Sequence, residues 1–162
     1  MRLFYLLSTL ALSVHLLFAQ EAPLVSDPGQ DQFDHCKQLY RHANGLQDFE
    51  DRRDAYRRAI PRLKSYIDQF PKHENIAAAS YYLGECYYHS GSVNDAKRVL
   101  SGVVKKYEKG RYVALSSNRL GYDAVAQKKY GIAAVHFGKV AEFSDTDEER
   151  FRVVISKHHV IV

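Results

Sequence analysis

Apolar positions in the middle of the chain recur with the spacing of an amphipathic helix. Ala79, Leu83 and Tyr87 lie four residues apart and therefore share one helix face. Gly91 breaks this pattern, which resumes over residues 93–107. The two-residue alternation that a β-strand needs is missing from the sequence. The pattern predicts antiparallel helices joined by short turns that contain Gly or Lys.

The helical pattern repeats at an interval of 37 residues. Leu83-Gly84 recurs as Leu120-Gly121, and Ala96 recurs as Ala133; the same interval counted back from Ala96 gives Ala59. A large apolar residue follows each of these alanines four places later, at Leu63, Leu100 and Phe137. Periods of about 20 to 50 residues indicate stacked supersecondary units. The fold class predicted is therefore all-α, an α-solenoid.

The repeat interval also predicts how the chain is divided. Three helix pairs are expected over about residues 33–71, 76–110 and 113–143. Residues 144–162 are expected to form a terminal helix or a truncated fourth repeat, because Thr146 and Glu149 have the spacing of a capping box.

The first repeat is the least regular of the three. Its helices are predicted from Phe33 to Ala43 and from Asp48 to Phe70. Pro61 falls inside the second of these, and an interior proline removes a hydrogen bond and costs about 3 kcal/mol. We therefore expect either a kink at Pro61 or a helix that starts near Ala59.

The N-terminal segment has the pattern of a secretory signal peptide. Residues 1–19 consist of a basic tip, a short apolar run and a small residue, Ala19. Residues 20–32 contain Pro23 and Pro28 and are expected to form a flexible lead-in without a core. We expect an exported, soluble protein, periplasmic or otherwise extracytoplasmic, with no integral membrane segment after signal cleavage.

The repeats resemble the tetratricopeptide repeat. The second repeat carries the motif Ser80-x-x-Leu83-Gly84-x-x-Tyr87, followed by Ala96-x-x-x-Leu100. The third carries Ser117-x-x-Leu120-Gly121-x-x-Ala124, followed by Ala133-x-x-x-Phe137. Gly and Ala at these places allow two helices to approach closely. Residues 81–88 are further similar to exported bacterial envelope proteins, such as the Tol–Pal-associated cell-division coordinator and the outer-membrane lipoprotein of the β-barrel assembly machinery.

This resemblance implies a non-enzymatic scaffold that binds a protein or peptide partner of the cell envelope. In the family, the first helix of each pair lines a concave groove. The groove positions carried onto this chain are Tyr81, Glu85, Tyr88, Asn118, Tyr122 and Val125. Tyrosine suits such a surface because it combines a large apolar face with a polar tip.

Motif content and charge exclude several other classes of function. The sequence has no phosphate-binding glycine loop, no paired metalloprotease histidines and no nucleophile elbow, so neither an enzymatic activity nor a cofactor is predicted. The formal net charge is only +4. Charges of both signs interleave over residues 50–64, where we expect Glu50 to pair with Arg53 and Asp54 with Arg58. Nucleic acid is not an expected partner.

Three alternatives remain open on the sequence alone. His35, Cys36 and His42 on one predicted helix could belong to a metal-binding or accessory domain, although a closed zinc site needs four ligands. Cys36 and Cys86 could form a disulfide in an oxidising compartment, but two buried free thiols are favoured. The segment 147–162 could mediate self-association into a homo-oligomer.

Overall fold

Residues 27–143 are described by a computed structural model, and they form six α-helices in three consecutive pairs. In chain order the helices are α1 (Pro28–Gly45), α2 (Phe49–Gln69), α3 (Ile76–His89), α4 (Val93–Lys106), α5 (Arg111–Ala126) and α6 (Tyr130–Phe143). The all-α helical repeat predicted from the sequence is thus confirmed. The predicted signal peptide, the terminal helix and the self-associating segment lie outside the described residues.

The first helix begins earlier than the sequence predicts, at Pro28 rather than at Phe33. The side chain of Asp27 caps it by accepting a hydrogen bond from the backbone N–H of Gly29 at 2.9 Å. Proline at the first helical position has no hydrogen bond to lose there. Residues 28–32, expected as part of a flexible lead-in, are helical for this reason.

The second helix runs through Pro61 without a break, so the predicted start near Ala59 is wrong. It begins at Phe49, after Asp48 has capped it by accepting a hydrogen bond from the N–H of Asp51 at 2.9 Å. Pro61 lies on the exposed side of the helix. A carbonyl that lacks its partner on that side can be hydrated, which makes an interior proline tolerable.

The second helix of the first repeat is seven residues longer than that of the second repeat, since α2 has 21 residues and α4 has 14. α1 and α3 end at Gly45 and His89, an offset of 44 residues, whereas α3 and α5 end at His89 and Ala126, an offset of 37. Seven residues make about two helical turns. The extra length therefore keeps the same face of α2 turned towards the core. The apolar periodicity of the sequence is unchanged by the added residues, so it does not reveal them.

Two glycines allow the helices of a pair to approach closely. A Cβ added at Gly84 would lie 2.6 Å from Cγ of Leu100, and one added at Gly121 would lie 2.7 Å from Cε1 of Phe137. Leu100 and Phe137 are both fully buried. The role predicted for the glycine of each Leu-Gly motif is confirmed by these contacts.

The first helices form one layer of the molecule. α3 contacts both α1 and α5, while α2, α4 and α6 make no comparable contacts with one another among residues 27–143. Because the first helices lie closer together than the second helices, the stack curves with α1, α3 and α5 on its inner face. None of the six described helices has both the length and the apolar composition needed to cross a bilayer.

Glycine 84 supports a direct test of helix packing. We expect Gly84→Ala to lower the free energy of unfolding by about 1 to 3 kcal/mol, because the new methyl group would overlap the buried side chain of Leu100. Urea denaturation followed by circular dichroism measures the difference.

Gly102→Ala is the matched control, since Gly102 lies inside α4 and a Cβ there meets nothing within 4 Å. Only the helix propensity of the residue changes at that position, so the free energy of unfolding of the control should rise by up to about 1 kcal/mol. An equal response of both variants would contradict the packing role of Gly84.

Candidate partner-binding site

An open cleft lies on the inner face, where all three first helices contribute side chains. Its volume is about 420 Å³. Its lining residues are Lys37, Tyr40 and Arg41 from α1, Tyr81 and Tyr82 from α3, and Arg111, Tyr112 and Leu115 from α5. The cleft therefore exists only when the three repeats are stacked.

The four tyrosines of the lining form a continuous set of ring contacts, which we call the tyrosine cluster. The ring of Tyr40 stacks on that of Tyr82 with centroids 4.6 Å apart, and Tyr112 meets Tyr82 edge-on at 6.0 Å. The ring of Tyr112 also lies 5.8 Å from that of Tyr81. Burial raises the pKa of the Tyr40 and Tyr81 phenols. The hydroxyls stay protonated at neutral pH and can donate hydrogen bonds to a bound segment.

Three cationic side chains surround the tyrosine cluster: Lys37, Arg41 and Arg111. Burial raises the pKa of Tyr82 to about 12, and the guanidinium groups of Arg41 and Arg111 oppose that rise. Both guanidinium groups therefore act on one hydroxyl, although they belong to the first and third repeats. The residues that line the cleft include no aspartate or glutamate.

Two of the predicted binding residues of the second repeat, Glu85 and Tyr88, contact one side chain of α5. Arg119 donates two hydrogen bonds to the carboxylate of Glu85, at 2.8 and 2.6 Å. Its guanidinium also lies over the ring of Tyr88, 4.5 Å from the centroid. Of the predicted residues Tyr81, Glu85 and Tyr88, only Tyr81 lines the cleft. We call the contact between Glu85 and Arg119 the inter-repeat ion pair.

Glu85 is only 2% exposed, which corrects the expectation that it faces an open groove. Its carboxylate holds α5 against α3. Burial by itself raises the pKa of Glu85, but the imidazole of His89, 3.8 Å away, and the guanidinium of Arg119 bring the pKa below its ordinary value. The carboxylate is therefore charged and paired at neutral pH.

The predicted residues of the third repeat lie one repeat further along and do not line the cleft. Tyr122 is 46% exposed, and its ring meets that of Phe137 edge-on at 5.4 Å. Val125 packs against the buried core of the third repeat, and Asn118 is half-buried. Partner binding by Asn118, Tyr122 and Val125 stays a prediction.

The longer first repeat explains why sequence reasoning missed the α1 side of the cleft. Counting back 44 residues, the interval between the ends of α1 and α3, leads from Tyr81 to Lys37, which lines the cleft. The offset of 37 leads from Tyr81 to Asn44 instead, at the end of α1. The remaining cleft residues that the sequence did not single out are Tyr40, Tyr82, Arg111, Tyr112 and Leu115.

The residues of the metal-binding alternative do not converge. His35 and His42 are exposed on α1, whereas Cys36 is 3% exposed and belongs to the core. His73, on the turn after α2, makes a hydrogen bond of 2.8 Å with the hydroxyl of Tyr66. Within residues 27–143, no group of three or more His, Cys, Asp or Glu side chains is placed to hold a metal ion.

The two cysteines are buried and free in the structure. Burial raises the pKa of both thiols, that of Cys86 to about 12. Because the thiolate is the nucleophilic form, neither group is activated for chemistry at neutral pH.

Two ion pairs form along α2. Arg53 lies 3.5 Å from Glu50, as predicted. Asp54 pairs with Arg57 at 3.0 Å rather than with Arg58, because positions three and four residues apart both adjoin it on a helix surface.

Comparison with known families supports the repeat. Residues 52–118 match the tetratricopeptide repeat family. The match extends from the first turn of α2 to the middle of α5, so it includes the whole second repeat and parts of the two helices that adjoin it. No curated protein and no solved structure matches the chain. Its similarity to particular envelope proteins stays a prediction.

The inter-repeat ion pair predicts a large loss of stability when one partner is removed. We expect Arg119→Leu to lower the free energy of unfolding by about 3 to 5 kcal/mol, because the variant leaves the buried Glu85 carboxylate without its main partner. Replacing both residues should cost less than the sum of the single changes. Urea denaturation of the wild type, the two single variants and the double variant measures the coupling free energy between Glu85 and Arg119.

The exposed pair Arg98–Asp95 provides the control, and Arg98→Leu should change stability by less than about 1 kcal/mol. The pKa of Glu85 is lowered on folding, so the stability it contributes is present above the ordinary value of 4.5 and disappears as the pH falls through the folded-state pKa. Glu85→Gln should flatten that acid dependence. An unchanged acid dependence, or additive single changes, would contradict the role assigned to the pair.

Proposed function

We propose that this chain is a protein-interaction scaffold whose inner-face cleft binds a peptide or helix of a partner protein. Tetratricopeptide repeats are typically non-enzymatic and generally mediate protein–protein interaction, and residues 52–118 match that family. The observation that carries the proposal is the cleft itself, which is built from all three first helices and lined by half-buried tyrosines.

The chemistry of the tyrosine cluster favours a peptide ligand. Ring faces that are only half-buried offer apolar surface to a side chain, and their hydroxyls offer hydrogen-bond donors to its polar groups. The rings are held by one another, so little side-chain entropy remains to be lost on binding. A cleft of about 420 Å³ accommodates a few side chains of a segment.

Removal of one ring tests this proposal. Twelve-residue peptides selected from a random display library on the full chain are expected to bind at the cleft. Tyr112→Ala should then weaken their binding at least about tenfold in fluorescence anisotropy, because the variant removes a ring that both Tyr81 and Tyr82 contact.

Tyr130→Ala is the matched control, since Tyr130 is 48% exposed on α6 and lies outside the cleft. It should leave the affinity within about twofold, and circular dichroism establishes that both variants are folded. Peptides that bind the wild type and Tyr112→Ala equally well would place binding elsewhere and overturn the proposal.

We also propose that the scaffold works in the cell envelope after export. The support is the signal-peptide pattern of residues 1–19 together with the resemblance of residues 81–88 to exported envelope proteins. When the full chain is expressed in a bacterial host, we expect the accumulated protein to begin at Gln20, as measured by intact mass.

Leu10→Arg interrupts the apolar run and should block removal of the first 19 residues. The conservative variant Leu10→Ile keeps the run apolar and should be processed like the wild type. Wild-type protein that keeps residues 1–19 in every cell fraction would argue against the export proposal.

A further inference from the structure

The cations of the cleft are distinguished by their common position, because Lys37, Arg41 and Arg111 line one cleft whereas the basic residues of α2 are spread along a helix. On α2, Arg53 and Arg57 are paired with neighbouring carboxylates. Lys37 has only the ring of Phe33 beneath its ammonium group, at 5.9 Å. No ion pair is formed by Arg41 or Arg111 within the part of the chain described here.

These cations are directed at one place from two repeats. Lys37 and Arg41 are one helical turn apart on α1, and Arg111 opens α5 on the opposite side of the tyrosine cluster. The hydroxyls of Tyr82 and Tyr112 lie 3.5 Å apart between them. An acceptor group bound there would be within the reach of guanidinium and phenol donors together.

Among residues 27–143, no carboxylate forms an ion pair with these three cations. The lining holds three cations and no acidic residue. The acidic side chain of α3, Glu85, is buried and bound by both guanidinium hydrogen bonds of Arg119. The cleft is therefore locally positive, and low-dielectric aromatic walls strengthen the field inside it.

We propose that the cleft recognises an acidic segment of a partner protein, with aspartate or glutamate side chains bound by Lys37, Arg41 and Arg111 and an apolar neighbour packed on the tyrosine cluster. This inference rests on the proposed function and adds the chemistry of the ligand. Arginine can bind a carboxylate through two parallel hydrogen bonds, which gives direction as well as attraction. Because the tyrosine cluster also binds an apolar side chain, the cleft should prefer such a segment to a polyanion that carries charge alone.

The test uses twelve-residue peptides selected on the full chain from a library in which acidic and basic residues are equally frequent. We expect the selected pool to be enriched in aspartate and glutamate. Arg41→Gln and Arg111→Gln should each weaken the binding of these peptides at least about tenfold. Arg58→Gln, which changes an exposed and unpaired arginine of α2, should leave the affinity within about twofold.

Two outcomes would overturn the inference. A selected pool without acidic enrichment, sensitive to Tyr112→Ala but not to Arg41→Gln, would remove the acidic specificity and leave the proposed function standing. A twelve-residue oligothymidylate that binds as tightly as the peptides, with the same arginine dependence, would show a general polyanion site instead. A different result would contradict the proposed function itself. If Tyr112→Ala binds the selected peptides as tightly as the wild type does, the cleft is not the binding site.

Discussion

The close approach of the two helices within each pair is the constraint on which the structure depends. Leu100 fills the space left by the missing side chain of Gly84, and Phe137 does the same at Gly121. Such contacts bury apolar surface without voids, as protein interiors require. Each pair is nevertheless too thin to enclose a core by itself, so the pairs must stack.

Stacking in turn creates the cleft, because its residues come from three repeats. The inter-repeat ion pair sets how α5 lies on α3 near the centre of this stack. Arg119 donates two hydrogen bonds to Glu85, and its guanidinium lies over the ring of Tyr88. A buried ion pair contributes more to a defined arrangement than to net stability in the systems where this has been established. Here it places Tyr112, seven residues earlier on α5, against Tyr82.

The same side-chain types thus have two different uses on the inner face. Glu85 and Arg119 satisfy each other and hold the repeats together, whereas Lys37, Arg41 and Arg111 have no acidic partner in the described part of the chain. Arg41 is exposed on α1, whereas Glu85 of α3 is only 2% exposed. Charged residues of the first helices are therefore structural at one place and available for binding at another.

The sequence by itself determined the helices, their pairing and the role of the Leu-Gly motifs, because helix periodicity and small-to-large packing are local properties that repeat along the chain. It did not reveal the seven extra residues of α2, since about two helical turns leave the apolar face unchanged. It also placed Glu85 on the surface, because the spacing of a residue along a helix does not show which neighbour covers it. Only the tertiary structure decided that Arg119 buries that carboxylate, and that Lys37, Arg41 and Arg111 meet around the tyrosine cluster. Contacts between residues 34 or more positions apart depend on how the repeats stack. The residue pattern of a single repeat does not determine that stacking geometry.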